Sequence, residues 1–254
     1  MYKFRLGACL LGLTFFAAGP GMAALIDATD PDLTGTGLGA VLTIVTAQDN
    51  GSRADGLETG CVGWDGSADA IGECVGGFEG AGGDEKTGAS QTLTRALSEV
   101  SGLDTIADIG LIVNLNEPGN DGTINLLDLY FTIFGAGGSE IFTAFLAPES
   151  IELINGSGTG VGQSGFLFVL DAAQRTAATT AQTGAGGFSG NWRIGGGFLA
   201  EDIAGGPESI FVFRAPGGEI PPDNEVPPIP EPASFLLMGG GLLAVAFFKR
   251  RLGK

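Results

Sequence analysis

Glycine restricts this chain more than any other residue: it fills 46 of 254 positions and falls at no fixed period. A Gly-X-Y repeat, or self-similarity every 20–50 residues, would mark a fibre or a solenoid, and neither is present. The glycines instead punctuate short runs that alternate apolar and polar residues or are rich in β-branched and aromatic side chains. Strands are expected over 40–48, 91–99, 109–116, 123–134, 141–146, 165–170, 192–199 and 210–215, with one long loop over 49–90. That spacing predicts an all-β domain, a β-sandwich of jelly-roll-like form. Leu115, Leu129, Phe131, Ile133, Phe142, Phe166, Phe168, Ile194, Phe198, Phe211 and Phe213 are its candidate core. One short surface helix is expected over 172–182, alanine-rich and preceded by Asp171, whose carboxylate can accept from the first free backbone N–H groups. With a thin apolar stripe, it should lie over a sandwich edge.

Both ends of the chain have another character. Lys3 and Arg5 precede an apolar run over 6–18, and Gly21-Met22-Ala23 supplies the small residues of a cleavage site. A signal helix is therefore expected over 1–23, with the cut after Ala23 or Ala24. Cys9 lies near the start of the apolar run rather than after it, the wrong place for lipidation. At the other end a proline-rich linker over 219–232 leads into an expected C-terminal membrane helix with a basic stop, 233–254, leaving 24–218 as the domain. Alternating prolines cannot enter a helix interior, so the linker stays extended. The stretch from Phe235 to Phe248 holds no charge, whereas Lys249, Arg250 and Arg251 favour the cytoplasmic side of a membrane. An apolar run of about 14–16 residues falls short of the roughly 20 of an ordinary transmembrane helix, which suits a segment meant to be removed.

Val226, Pro228, Pro230, Glu231, Pro232, Ala233 and Ser234, followed by Gly239–Gly241, Leu242, Leu243 and the basic stop, resemble the PEP-CTERM sorting signal of Gram-negative bacteria. The resemblance implies an exosortase, a membrane transpeptidase, as partner. It also implies cleavage near the Pro-Glu-Pro, and delivery to the cell surface or exopolysaccharide matrix after transient anchoring in the inner membrane. Part of the body, from Leu111 to Phe134 with Phe142-Thr143-Ala144, the 165–171 run and the Gly205-Gly206-Pro207-Glu208 turn, resembles a β-rich body found ahead of such tails. That likeness implies architecture and destination, with no catalytic activity.

Without the two end segments the charge balance shifts. Two of the 12 basic residues lie in the leader and four in the tail, so the six left in 24–232 face all 29 acids, a net charge of −23. Such a body repels nucleic acid and anionic lipid, and stays soluble outside the cell. Export also leaves an even pair of cysteines, Cys61 and Cys74, in an oxidising compartment, where a disulfide is expected. Closing a loop of about 14 residues stabilises a fold by roughly 3 kcal/mol in the chain-entropy account. Two thiols without histidine make a poor zinc site.

The chain contains no histidine, which excludes Ser-His-Asp and Cys-His catalysis and His-ligated metals. Carboxylate chemistry survives that filter, but of Glu117, Asp128, Glu140, Glu149 and Glu152 most are placed where a strand begins or ends, and a solvated rim explains them. Calcium has one partial loop, with Glu117, Asp121 and Asp128 at positions one, five and twelve and Gly122 at six. Position three is glycine, and the residues that follow read as strand rather than helix. A turn at Asn120-Asp121-Gly122 accounts for the same letters. Gly-rich strings near 35–39, 156–162 and 195–197 lack the strand-to-helix setting of a phosphate cradle. Trp64, in the cysteine loop, is the more exposed of two tryptophans that could stack on a sugar. The expected function is that of an exported, non-enzymatic surface or matrix protein without a cofactor, handled by signal peptidase and exosortase. The alternative is a carbohydrate- or calcium-binding adhesion module in the same place.

Overall fold

The computed structural model describes residues 24–28, 41–48, 56–88, 90–115, 123–146, 150–154, 164–203 and 206–215. The signal helix, the proline-rich linker and the C-terminal helix expected from the sequence lie outside these residues. The described residues form twelve strands and one α-helix. The strands are β1 (Ala24–Asp27), β2 (Leu42–Ala47), β3 (Glu58–Trp64), β4 (Asp69–Ile71), β5 (Arg95–Ala96), β6 (Ile109–Leu115), β7 (Thr123–Phe134), β8 (Glu140–Leu146), β9 (Ile151–Ile154), β10 (Ser164–Leu170), β11 (Arg193–Glu201) and β12 (Glu208–Arg214). The helix is α1 (Ala172–Gly184). The all-β class expected from the sequence is the class observed.

The strands join in the order β2-β12-β6-β10-β1-β8-β7-β11-β3-β4, with β5 on β11 and β9 on β7. Every pairing is antiparallel except β1 with β8. The sheet curls until its first strand covers its far end. A methyl group added at Gly196 on β11 would lie 3.3 Å from Ile44 Cδ1 of β2, and one at Gly60 on β3 would lie 3.0 Å from the Ala47 Cβ. The two-layer stack of a sandwich is thus built from one continuous curled sheet.

Two joints hold the layers. At one margin β1 is wedged between β10 and β8, with Leu25 opposite Leu170 on one side and Leu146 on the other. At the other margin the segment 84–93 stitches β2 to β3. Lys86 N donates to Thr46 O at 2.8 Å, Gln48 N to Asp84 O at 2.9 Å, and Asp84 N to Thr59 O at 3.2 Å. Between the layers lie Ile44, Val62, Leu111, Val113, Leu129, Phe131, Ile133, Phe142, Phe168, Ile194, Phe198, Ile210 and Val212, all in one buried cluster.

Several expectations are corrected by side-chain direction. On β12 the burial alternates, with Glu208, Ile210 and Val212 inward, so Phe211 and Phe213 take the opposite face and are half-buried. The Phe213 ring lies where a side chain on Gly110 would sit. Phe166 is likewise half-buried, against the edge of the core. Of the expected strand 91–99 only β5 survives. Thr92 Oγ1 takes the Thr46 N–H at 3.1 Å, and Glu99 captures the Ala96 N–H at 2.8 Å, bending 97–99 into a 3-10 turn. The expected long loop contains β3 and β4, and β1 and β9 were also not expected.

In α1 the Asp171 carboxylate accepts from Gln174 N at 2.6 Å, as the capping pattern required. Thr176, Thr179, Thr180 and Thr183 each donate a hydroxyl to the carbonyl four residues earlier. The helix buries only Gln174 and Ala178. It is clamped by Arg175, which pairs with Asp108 at 3.1 Å, while Arg214 at the end of β12 reaches the same carboxylate at 3.6 Å.

Candidate functional site

The cysteines do bond: Cys61 and Cys74 form a disulfide with a Cα–Cα distance of 5.4 Å. Cys61 sits mid-strand on β3 with its side chain on the outer face of the layer, in one row with Gly197 and Tyr130. The bridge draws the loop after β4 across that face. Phe78 packs on Tyr130 with ring centroids 4.9 Å apart, and Phe145 packs on it at 5.8 Å. Gly197 makes this possible, since a Cβ there would lie 2.6 Å from the Tyr130 ring. Val75 N donates to Tyr130 Oη at 3.4 Å, and burial holds that phenol well above its ordinary pKa. The aromatic platform is thus a closed packing unit.

Trp64 ends β3 and is half-buried. Its indole N–H donates to Ala136 O at 3.3 Å, and the Arg193 guanidinium stacks on the ring at 4.4 Å. Arg193 is itself fixed by Thr94 Oγ1 at 2.6 Å and by Thr94 O at 2.7 Å. One face of the candidate sugar platform is therefore taken by a cation from within the chain. The neighbouring turn is closed by Asp65, which accepts from Ala68 N at 2.7 Å and from Ser67 N at 2.6 Å. Those hydrogen bonds hold its carboxyl below the usual range. Gly66, at φ +99°, lies against the turn joining β7 to β8, where a Cβ would come 2.6 Å from Gly137 O.

Of the three candidate calcium ligands, Glu117 and Asp121 lie outside the described residues. Asp128 is 8% exposed and accepts from Glu79 N at 3.1 Å and from Leu129 N at 2.8 Å. Burial raises its pKa above the ordinary carboxylate value despite those two donors. Its observed job is to pin the loop beneath which it lies. Among the described residues, no group of three or more metal-ligating side chains converges.

A groove of about 570 Å³ runs beside α1 and is lined by Ile26, Leu170, Asp171, Arg175 and Thr176 among others. Sequence reasoning missed it, because β1 was not expected there. Its acidic and basic members already serve the helix cap and the ion pair with Asp108.

The processing residues come last. Ala23, the motif residues Val226, Pro228, Pro230, Glu231, Pro232, Ala233 and Ser234, and the basic stop Lys249, Arg250 and Arg251 all lie outside the described residues. Ala24, immediately after the expected cut, is the first residue of β1. Ala215, immediately after β12, is buried and donates its N–H to Asp108 O at 2.7 Å, so the chain enters the linker from a fixed point. Among the described residues no helix is long and apolar enough to cross a membrane.

No curated protein and no solved structure matches the chain. One family model does, the PEP-CTERM protein-sorting motif, over residues 228–251. The match begins at the proline-rich segment, runs through the apolar stretch and ends on the basic stop, and it does not reach the β-rich body. The chain is thus a PEP-CTERM motif-containing protein, with the sorting signal of an exosortase-processed extracellular cargo at its carboxyl end.

Proposed function

We propose that this is a non-enzymatic structural protein of the cell surface or extracellular matrix of a Gram-negative bacterium, with the curled sheet as cargo and the two ends as transport labels. Signal peptidase cuts after Ala23. The 233–254 segment parks in the inner membrane with Lys249, Arg250 and Arg251 on the cytoplasmic side, and the proline-rich linker presents Pro230-Glu231-Pro232 to an exosortase. Transpeptidation then releases the body to the envelope surface or to exopolysaccharide. The observation that carries this reading is the sorting motif at 228–251, which follows a disulfide-bonded, strongly acidic body.

The chemistry of the body supports a non-catalytic role. A histidine-free chain has few routes to acid–base work near neutral pH. Asp128, the described carboxyl whose pKa burial raises, is occupied by two backbone donors under a loop. Intact-mass measurement and C-terminal peptide mapping on protein from its native envelope tests the reading. The expected product begins at Ala24 and ends near Pro232, with or without an attached acceptor. Recovery of full-length chain from cytosol would overturn it.

A further inference from the structure

Ten residues, 74–83, five of them glycine, cross the outer face of the sheet between two fixed points. Just before them, Gly72 N donates to Cys61 O at 2.9 Å. Just after them, Asp84 Oδ2 accepts from Thr59 N at 3.0 Å and Glu85 Oε1 from Cys61 N at 2.8 Å. Among the described residues this flap gives the sheet beneath it two hydrogen bonds, Val75 N to Tyr130 Oη at 3.4 Å and Glu79 N to Asp128 Oδ2 at 3.1 Å. Phe78 adds a ring contact with Tyr130. Ordering a segment that is half glycine costs more conformational entropy than so few contacts return. The restraint that makes up the difference is the bond from Cys74 to Cys61.

Under the flap, Cys61, Gly197, Tyr130 and Phe145 stand in one row across β3, β11, β7 and β8. Their sequence neighbours Val62, Leu129 and Phe131 belong to the cluster between the layers, so the row can be uncovered without opening that cluster. Cys61 is fully buried and Cys74 half-buried, which makes Cys74 the half of the bridge that a reagent reaches. We propose that the Cys61–Cys74 bond is a reversible redox latch: a dithiol reductant opens it, the flap lifts, and the Tyr130–Phe145 row, with Asp128 at its margin, is uncovered while the curled sheet stays folded. In the step, one thiolate of the dithiol attacks the Cys74 sulfur and expels Cys61 as a thiolate. The second thiolate attacks the mixed disulfide and expels Cys74. The dithiol leaves as a cyclic disulfide, having given up two electrons, and its two protons end on the two cysteines. One body thus has two surfaces, an oxidised one that hides its aromatic strip and a reduced one that presents it.

The test uses full-length chain in detergent. Hydrogen exchange is compared before and after dithiothreitol, with a gain of two thiols as proof that the bridge has opened, and again after reoxidation. Reduction should speed exchange of the Val75 and Glu79 amides at least about tenfold, since exchange follows the fraction of time the flap is raised. The β6 amides should stay slow, and reoxidation should restore protection. Independently, oxidised wild type and the Cys61→Ser, Cys74→Ser double variant are treated with tetranitromethane. Peptide mass separates nitration at Tyr130 from that at Tyr2, the other tyrosine. Tyr130 should react at least about tenfold faster in the variant. A bridge that dithiothreitol leaves closed in the folded chain overturns the latch. So does a flap that stays protected once the two thiols are free, or a β6 that loses protection together with the flap.

Discussion

The two joints that close the sheet are built on opposite terms. At the β3 margin the segment 84–93 is internal to the chain, and the loop just before it is fastened by the Cys61–Cys74 bridge. At the β1 margin the joint is a single short strand, four residues held by backbone pairing and one buried leucine. The first joint depends on oxidation, which is local and available once the body reaches an oxidising compartment. The second depends on a short strand inserting between β10 and β8. One joint thus rests on a covalent bond nearby, the other on backbone pairing and burial alone.

The largest expected effect breaks the weaker joint. Leu25→Asp places a carboxylate in the core cluster, and an unpaired buried charge of this kind should cost upward of about 3 kcal/mol. Urea unfolding of the mature domain should show an early transition or no cooperative fold. Next comes the oxidised joint: Cys61→Ser with Cys74→Ser should lower stability by about 3 kcal/mol and the melting temperature accordingly. Retention of a wild-type melting point in the double variant would mean that the seam holds without its bridge. Gly66→Ala should cost about 1–3 kcal/mol, since φ +99° and the contact with Gly137 O both resist a side chain. Calorimetry would measure it.

The smallest effect sharpens the comparison through pH. Asp128 has a raised pKa in the fold, so its protonated form is the one the folded state favours. Its contribution is fully present below the ordinary carboxylate value of 3.8 and is lost as pH rises through the higher folded value. Docking of the loop over Tyr130 should therefore loosen slightly between mildly acidic and neutral pH. Asp128→Asn should flatten that dependence, by about 1 kcal/mol or less, in exchange of the Glu79 amide. An unchanged pH profile in the variant would assign the response to another group.

Legibility followed the same divide. β2, β6, β7, β8, β10, β11 and β12 could be read because each is a run of alternating, β-branched or aromatic residues between turns. β3 could not, because Gly60 and Gly63 erase the alternation, and those glycines are there for packing: Gly60 faces Val45 and Ala47 of β2, and Gly63 faces the Phe134 ring. β1 was hidden by its position against the leader, where apolar residues are read as signal. The direction of Phe211 and Phe213 was missed because β12 carries large apolar residues on both faces, so alternation alone does not choose the core side. The helix was legible from one residue, Asp171, and the disulfide from counting and compartment. The sorting motif was the easiest feature of all, since a processing enzyme reads an extended segment as a string of residues and no tertiary arrangement is needed to recognise it.

Arg214 closes β12, and β12 lies inside the sheet, laddered to β2 on one side and to β6 on the other. Any tether fastened beyond Ala215 therefore pulls along a strand whose two ladders resist in shear. Rupture requires many hydrogen bonds to fail together rather than one after another. The Asp108 carboxylate, gripping Arg214 from the base of the helix, sits where that load enters. For any body held by its tail, the exit point of that tail is a mechanical anchorage.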